Sequence, residues 1–320
     1  MEALTDVIGR LSLSDGSKKN IDSNFRMFSR FCRQFSLSPL PTENSTLVKY
    51  VAYSVAVENR SVGTIRNHLS SIRRAHLSSG HDIPTPSQHF PLQEIIRGAR
   101  RYANRPVRKT APITPSILSA ILPLCEMGSP FKCLLLILFT TFARLASLIP
   151  TRLGQQFSQS NHLSWGDVKF TGDFLKLSLT RTNTIQFGER SLEFLLPYME
   201  DRRLCPGYNL LLWFERCPDK ARTSPVFQLG WGRTYKALTR QMVDPIYKTV
   251  LRLSGEDPTK YGWSSFRRGG ATTYYLATGD VETLRVQGDW QSGAYREYLA
   301  LPSNQRAGLV RVLLGGINLR

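Results

Sequence analysis

Four stretches of the sequence carry arginine, tyrosine and tryptophan side chains in arrangements that could do chemistry. In chain order they are FTTFARLASLIP, LTRTNTIQFGER, YGWSSFRRGGATTYYLATG and QGDWQSGAYREYL. The first places Arg144 directly behind an apolar helix, where an unpaired buried guanidinium is costly and needs a reason. The third opens a helix with Arg267 and Arg268, and the fourth contains Tyr295 and Tyr298. Planar guanidinium groups are the side chains best suited to bind phosphate oxygens through paired hydrogen bonds.

Other kinds of site are excluded by what the sequence lacks. All five histidines lie in the first 162 residues, which excludes HExxH metal sites and Ser–His or Cys–His triads wholly within the second half. The five cysteines are scattered without CxxC spacing, which disfavours a zinc site or a disulfide framework and fits a reducing compartment. No phosphate loop of the GxxxxGK[ST] type is present. Chemistry in the second half must therefore use Arg, Lys, Tyr, Ser, Trp or carboxylate groups, and we expect no metal or other cofactor.

The chain is strongly basic, which points to an acidic partner. Its 320 residues include 42 Lys+Arg and 24 Asp+Glu, for a formal net charge of +18. A hydrophobic content of 41% excludes a disordered polycation, so the choices are a nucleic acid, an anionic membrane or a merely basic soluble protein. The most apolar stretch, CLLLILFTTF, is about half of the roughly 20 residues that a spanning helix needs, and the N-terminus does not resemble a secretion signal. We therefore expect no membrane, while a nucleic acid and a merely basic soluble protein both stay open at this point; the predicted partner, double-stranded DNA, is what the family resemblance given below implies.

Residues 1–95 are predicted to form a helical, DNA-binding N-terminal domain. Apolar residues at helical spacing predict one helix over Lys18–Phe35, a second beyond Pro41 and a third from near Ser61. The third helix presents a polar face whose members could contact DNA: Arg66, Asn67, Ser70, Arg73 and Arg74. A solvated helix surface would look the same, so both interpretations stay open at this point.

Residues 96–112 are predicted to form a basic linker between two domains. A short helix runs here into an extended segment with prolines at its end. Six cations follow one another without an intervening acid: Arg97, Arg100, Arg101, Arg105, Arg108 and Lys109. Such a run suits a protein that wraps a polyanion, because each neutralised phosphate releases counterions; a solvated charge run is the alternative.

Residues 113–320 are predicted to form the second domain, which carries all four stretches. A helix capped by Thr114 or Ser116 leads to the apolar helix that ends at Thr141. Alternating segments VKF, FLKLSLT and RSLEFLL then predict a small antiparallel sheet of about three strands, and residues 224–320 are predicted to be mostly helical. The expected fold class is mainly α with a small antiparallel β-sheet.

Taken together, the four stretches resemble the tyrosine recombinases, or phage-integrase family. They look most like the eukaryotic branch carried by DIRS- and Ngaro-like retrotransposons, which share the FRRGGAT, GDWxSxAYxxYL and QFGER runs and a first-arginine motif like ARLASLIP. The likeness extends over nearly the whole chain. It implies a SAM-like, core-binding helical domain followed by a catalytic domain, the two closing on DNA as a C-shaped clamp.

The resemblance implies site-specific DNA recombination, as in the integration of a mobile element. A tyrosine hydroxyl attacks a DNA phosphodiester to give a 3′-phosphotyrosine, without ATP or metal. The nucleophile falls on Tyr298, with Tyr295 as the alternative, and the phosphate-clamping arginines fall on Arg144 and Arg267. The third donor to the phosphate is Trp290, whose indole N–H can donate one hydrogen bond.

Two positions depart from the family pattern. The family histidine falls on Ser264, which can hydrogen-bond a phosphate but cannot hold a proton near neutral pH. The hairpin lysine, which protonates the leaving 5′-oxygen, falls on Asn183, and an amide cannot serve as that acid. Arg181 and Lys176 are alternative sources of charge. Three interpretations follow: a slow but competent recombinase, a decayed or domesticated copy that binds and synapses DNA, or a deliberately altered protein.

The resemblance also bears on assembly and location. The apolar tail at 307–319 would dock on a neighbouring protomer and give a homotetramer on DNA, although a helix folded back on its own core is the alternative. Arg268, next to Arg267, is expected to contact DNA. The eukaryotic branch implies action in the nucleus.

Overall fold

The computed structural model describes residues 12–103, 109–182, 185, 189–231 and 234–300. These residues are mostly helical, with two small antiparallel sheets, which confirms the predicted fold class. They separate into two compact units, and the division falls between residues 108 and 109. Among the described residues, no helix combines the length and apolarity required to cross a bilayer.

Several sequence predictions concern residues outside the described ranges. They are the linker arginines Arg105 and Arg108, the hairpin residue Asn183, and the proposed oligomerisation tail at 307–319.

The first unit is a helical bundle whose core is rich in aromatic residues. Its helices are α1 (Asp15–Gln34), α2 (Asn44–Ala56), α3 (Val62–Ser78) and α4 (Phe90–Ala103). Ser61 caps α3, since its side chain accepts a hydrogen bond from the Thr64 backbone N–H at 3.1 Å. Phe28 and Tyr50 are fully buried, with ring centroids 5.1 Å apart and an edge-on orientation.

The predicted linker does not start at residue 96. Helix α4 runs on to Ala103, and Ile96 and Ala99 are buried in the core of the first unit. At the other end, the backbone N–H of Ala111 donates to the Lys260 carbonyl at 2.8 Å, so residues 109–112 belong to the second unit. Basic side chains on the outer face of an amphipathic helix gave the segment the composition of a linker, whereas its apolar stripe makes it part of the bundle.

The second unit is built around an apolar helix and the sheet beside it. Its helices are α5 (Pro115–Ile121), α6 (Pro130–Thr141), α7 (Leu145–Leu148), α8 (Pro206–Arg216), α9 (Arg240–Leu253), α10 (Ser264–Thr278) and α11 (Val281–Gln287). Thr114 caps α5, accepting a hydrogen bond from the Ile117 N–H at 3.3 Å. Nearly every residue of α6 is buried, which makes this helix the centre of the core.

The predicted three-stranded sheet is present, and its register decides which side chains face the core. Strands β1 (Val168–Phe170), β2 (Phe174–Leu179) and β3 (Leu192–Pro197) pair antiparallel in that order. In β2 the residues Leu175, Leu177 and Leu179 are buried, so the alternate positions lie on the opposite face.

A second hairpin was missed by the sequence analysis. Strands β4 (Gln228–Trp231) and β5 (Thr234–Ala237) pair antiparallel in a region that we expected to be helical. Strands of four residues are too short to show a period-two pattern, which is why the prediction was wrong here.

Two glycines let α10 approach its neighbours closely. A Cβ atom on Gly269 would lie 1.8 Å from the Ile113 carbonyl oxygen, and one on Gly270 would lie 2.1 Å from the Phe139 carbonyl oxygen. Both obstacles are backbone atoms, which cannot move aside as a flexible side chain can. The FRRGGAT run therefore fixes the position of the arginine-bearing helix against α6.

We expect Gly269→Ala to destabilise the second unit by about 3 kcal/mol or more, because overpacking a well-packed contact costs about 1–3 kcal/mol and here the backbone is in the way. Gly98→Ala is the matched control: it lies in α4 with nothing within 4 Å of its added Cβ, and it should stabilise by about 0.5–1 kcal/mol. Urea unfolding followed by far-UV circular dichroism measures both units, and tryptophan fluorescence reports on the second unit alone, because all five tryptophans lie there. Equal stabilities for the two variants would contradict this account of the glycine pair.

Candidate active site

The first arginine is positioned by a sharp turn at the end of α6. Phe142 takes up a left-handed backbone conformation (φ 55°), which is uncommon outside glycine, and the chain then enters the short helix α7 with Arg144 at its N-cap. Arg144 is half-buried and lines a small cleft together with Arg267. The two arginines of the sequence prediction are thus brought to one cleft.

The second arginine is held by backbone carbonyls from two other segments. Arg267 lies in the first turns of α10 and is only 4% exposed. Its Nη1 donates to the Phe142 carbonyl, and its Nη2 donates to the Gly288 carbonyl at 2.6 Å. Its guanidinium plane is therefore fixed before any ligand arrives, as electrostatic stabilisation of a transition state requires.

The electrostatics of the cleft favour an anion. Burial, followed by the charge of Arg144, lowers the pKa of Arg267 to about 10, although Tyr298 and Asp289 act in the opposite direction. Arg267 is still charged at neutral pH. Two guanidinium groups that repel one another across a partly dry cleft are relieved by a bound anion such as phosphate.

Trp290 and Tyr298 cover the Arg267 guanidinium. Its Cζ lies 4.2 Å from the centroid of the Trp290 ring and 4.8 Å from that of Tyr298, and the two rings are 5.2 Å apart. Trp290 stacks on Phe142 with centroids 6.3 Å apart. The arginine, the tryptophan and the tyrosine thus lie in contact within a single copy of the chain.

Tyr295, the alternative nucleophile, is differently placed. Its ring packs at the edge of the same small aromatic cluster, but its hydroxyl accepts a hydrogen bond from Arg296 at 3.4 Å. The structure therefore brings Tyr298 rather than Tyr295 into contact with Arg267.

Three buried N–H groups at this site have no acceptor within the described part of the chain. They are the Trp290 indole N–H, the Arg267 Nε and the Nε of the adjacent Arg268, whose Nη1 donates to the Glu297 carbonyl at 2.8 Å. Leaving a buried donor unpaired costs about 1–3 kcal/mol. Three such donors grouped around Tyr298 indicate a site that is completed by a ligand with several acceptor oxygens.

Ser264 lies at the edge of this site. It is the first residue of α10, one helical turn before Arg267, and it is exposed. Its hydroxyl is 3.1 Å from the Thr110 hydroxyl. The position faces solvent in the free protein, so a larger side chain could be accommodated there.

The structure does not bring the alternative hairpin cations to the arginines. Lys176 lies on the face of β2 opposite the buried leucines and pairs with Glu193 at 2.6 Å, so its catalytic role stays a prediction. Arg181 is exposed just beyond the end of β2. The next residue, Thr182, does line the cleft.

Two charged residues of the site were missed by the sequence analysis. Asp289 is 6% exposed, lines the cleft and pairs with Arg190 of the QFGER run. The signal was available, because Asp289 directly precedes Trp290 in the GDW run and Arg190 ends the QFGER run. Neither residue was predicted as part of the site, because neither position has an expected role in the chemistry.

Comparison with known proteins finds one integrase/recombinase that is similar in sequence. No model of a protein family matches the sequence. The integrase/recombinase xerD homolog of Selenomonas ruminantium is 22% identical over 288 residues, which cover 86% of this chain and 77% of that protein. This chain is thus similar in sequence to an integrase/recombinase over most of its length, as the four motifs predict.

Solved structures of tyrosine recombinases share the fold. The Tn1549 transposon integrase in complex with circular intermediate DNA superposes with a TM-score of 0.59 at 12% identity, over 96% of this chain and 97% of that one. A lambda integrase dimer bound to a COC′ core site gives a TM-score of 0.52 at 13% identity, over 93% and 75% of the two chains. The match spans both units, so this chain shares the fold of these integrases.

On the first unit, most of the predicted DNA-contacting face of α3 is open to solvent. Arg66, Asn67, Ser70 and Arg74 are exposed, whereas Arg73 is half-buried and donates from Nε to the Ile83 carbonyl at 3.0 Å. The three arginines and Ser70 line a groove on this unit. Arg73 therefore has a structural role in addition to any contact with a ligand.

The basic residues of α4 are also on the surface. Arg100 and Arg101 are exposed, and Arg97 pairs with Glu94 at 2.8 Å. Lys109 belongs to the second unit, where it pairs with Glu297, the residue before Tyr298.

Proposed function

We propose that this protein is a site-specific tyrosine recombinase that cuts and rejoins DNA through Tyr298. The Tyr298 oxygen forms a bond to the scissile phosphorus while the bond from phosphorus to the 5′-oxygen breaks. The tyrosine loses its proton, and the leaving 5′-hydroxyl gains one. Because one phosphodiester is exchanged for another, rejoining is the same step in reverse and needs no external energy source.

The observation that carries this proposal is the contact of the Tyr298 ring with Arg267, beside buried N–H donors that lack acceptors in the described part of the chain. A phosphodiester carries one negative charge and two non-bridging oxygens. These oxygens can accept hydrogen bonds from the N–H groups of Arg144, Arg267 and Trp290. Donors already fixed in place stabilise the extra negative charge that develops when the tyrosine attacks.

A second candidate function is DNA binding and synapsis with little cleavage. The described residues that line the cleft include neither histidine nor lysine. The Ser264 hydroxyl contacts the Thr110 hydroxyl, and neither group is a general acid near neutral pH. Loss of general acid–base catalysis slows a step by about 10²–10⁴-fold. A catalytically impaired or domesticated recombinase of this kind would still clamp DNA.

Covalent trapping separates the two candidates. Duplexes selected by the protein from a randomised pool are nicked near each candidate cleavage position, so that the short 5′-hydroxyl fragment dissociates after attack. We expect a detergent-resistant protein–DNA adduct whose linkage maps to Tyr298 by mass spectrometry. If no nick position in any selected duplex yields an adduct, the protein is a binding module.

We expect the exposed arginines of α4 to contribute to DNA affinity through phosphate contacts. Each phosphate contact adds about 0.9 to the slope of log affinity against log salt concentration. Arg100→Gln and Arg101→Gln should therefore each lower that slope by about 0.9, measured by fluorescence anisotropy from low to physiological salt.

The matched control for these variants is Arg203→Gln. It changes the net charge equally but removes a surface cation that pairs with Asp201 at 2.8 Å. An unchanged slope for Arg100→Gln and Arg101→Gln, or an equal fall for Arg203→Gln, would show that α4 does not contact phosphates.

The proposal extends to a mobile element as the source of the recombined DNA, to a homotetramer assembled on DNA through residues 307–319, and to action in the nucleus. The sequence motifs shared with DIRS- and Ngaro-like elements support the first and third parts. The apolar pattern of the tail supports the second.

A further inference from the structure

Tyr298 is carried by a short segment with little regular structure of its own. A single 3₁₀ turn spans Gly293–Glu297, and Tyr298 caps its end by donating from its backbone N–H to the Tyr295 carbonyl at 2.9 Å. A helix of five residues makes too few internal hydrogen bonds to fix its own place in a protein. The position of Tyr298 therefore depends on contacts between this segment and the rest of the second unit.

Helix α10 contacts the backbone on both sides of Tyr298. Arg268 donates from Nη1 to the carbonyl of Glu297, the residue before the tyrosine, at 2.8 Å. The Thr272 hydroxyl accepts from the backbone N–H of Ala300, two residues after the tyrosine, at 3.0 Å. Residues four apart in a helix lie on the same face. One face of α10 thus holds the segment at two points, with the tyrosine between them.

These two contacts are better shielded from solvent than the ion pair at the same turn. Thr272 is only 6% exposed, and the Nε of Arg268 is inaccessible to solvent. The side chains of Lys109 and Glu297, which form the ion pair, are 46% and 71% exposed. Exposed ion pairs contribute little and are weakened by salt. The contacts from α10 are therefore the ones that fix the segment.

We propose that Arg268 and Thr272 are positioning residues for strand cleavage: they hold the backbone on either side of Tyr298, so that its ring stays against Arg267. The inference rests on the proposed function, because the placement of the tyrosine matters only if its hydroxyl attacks DNA. Both residues act through the tyrosine segment. This role differs from the phosphate contact that the sequence predicts for Arg268, since its Nη1 is already engaged within the chain.

Thr272→Val is the most informative variant, because valine is also branched at Cβ and lacks only the hydroxyl. The side chain is buried, so its effect on DNA binding should be small. We expect the rate of adduct formation at saturating DNA to fall by about tenfold, the factor that the net contribution of one hydrogen bond can reach. The Kd for DNA should stay within about twofold, because the phosphate-binding arginines remain. Thr272→Ser, which keeps the hydroxyl, should recover most of the rate.

Amide exchange in the free protein tests the same contacts without DNA. In Thr272→Val the Ala300 N–H loses its acceptor, so exchange across residues 293–300 should accelerate while exchange in α6 stays unchanged. Arg268→Met removes the donor to the Glu297 carbonyl and should accelerate exchange across the same residues. Its rate of adduct formation at saturating DNA should fall as well.

Thr278→Val is the matched control. The Thr278 hydroxyl lies in the same helix and also accepts a backbone N–H, that of Asp280, at 3.1 Å. The substitution therefore removes the same kind of hydrogen bond from a different segment. It should leave the rate, the Kd and the exchange across residues 293–300 unchanged.

The proposal is overturned if Thr272→Val forms the adduct at the wild-type rate, if Thr272→Ser is as slow as Thr272→Val, or if Thr278→Val is equally slow. A weaker Kd with an unchanged rate at saturation, or exchange that rises throughout the second unit, would also contradict it. A wild-type protein that forms no adduct would refute the proposed recombination instead. Exchange across residues 293–300 in the free protein would then still show whether α10 holds the segment.

Discussion

Tyr298→Phe should abolish the covalent protein–DNA adduct, and Tyr295→Phe should leave it in place. The phenylalanine ring can keep the packing of Tyr298 on Trp290 and Arg267, but it has no oxygen to attack phosphorus. Removal of a nucleophile from a preorganised site lowers the rate by about 10⁴-fold or more. Single-turnover trapping on the nicked duplex, analysed in denaturing gels, measures both variants.

An unchanged affinity for DNA would show that Tyr298→Phe loses the chemical step and keeps DNA binding. Because the two arginines and Trp290 remain in place, Tyr298→Phe should bind the same duplex with a Kd within about threefold of wild type. An adduct that persists in Tyr298→Phe and disappears in Tyr295→Phe would reverse the assignment of the nucleophile. The contact of Tyr298 with Arg267, set against the hydrogen bond of Tyr295 with Arg296, is the reason to expect the first result.

The same structure also predicts that the nucleophile acts on the phosphate bound by its own chain. Tyr298 lies over the Arg267 of the same polypeptide, within a small apolar cluster formed by Phe142, Ala271 and Trp290. A mixture of Tyr298→Phe with an Arg267-deficient protein has no complete site on either chain. Such a mixture should therefore not recover adduct formation.

Local patterns in the sequence predicted the elements of the fold where the determining interactions are local. Ser61 and Thr114 cap the helices that follow them, and the alternating segments became β1, β2 and β3 at nearly the expected positions. The linker was misjudged because α4 is both strongly basic and amphipathic. Its buried Ile96 and Ala99 show that packing, rather than composition, decides where the first unit ends.

In the candidate site, too, local motifs predicted some features, whereas other features depend on tertiary contacts. Motifs predicted which residues would converge, and Arg144, Arg267, Trp290 and Tyr298 do share one region of the second unit. What positions Arg267 could not be predicted, because the Phe142 and Gly288 carbonyls that hold it are backbone groups and carry no sequence signal. The contact of Asp289 with the distant hairpin likewise depends on tertiary structure alone.

Restoring the family residues at the two positions that depart from the family pattern should raise the rate of cleavage. Ser264→His with Asn183→Lys is expected to accelerate adduct formation by about 10²–10⁴-fold, the usual contribution of general acid–base catalysis. Ser264 is exposed one turn before Arg267, so a histidine there can reach the phosphate region without displacing a buried neighbour. Asn183 follows Thr182, which Asp289 holds at the cleft.

Single-turnover rates across pH separate the two substitutions. The histidine variant should acquire a rate change between about pH 6 and 7, near the ordinary histidine pKa of about 6.5, that the Ser264 protein lacks. A lysine at position 183 supplies an acid that remains protonated through this range, so it should raise the rate without adding that inflection.

Tyr298→Phe in the doubly restored background should again form no adduct, which ties the gain to the same nucleophile. A restored protein that cuts no faster than wild type would show that proton transfer at these two positions does not limit the reaction, and that other residues of this chain already perform it.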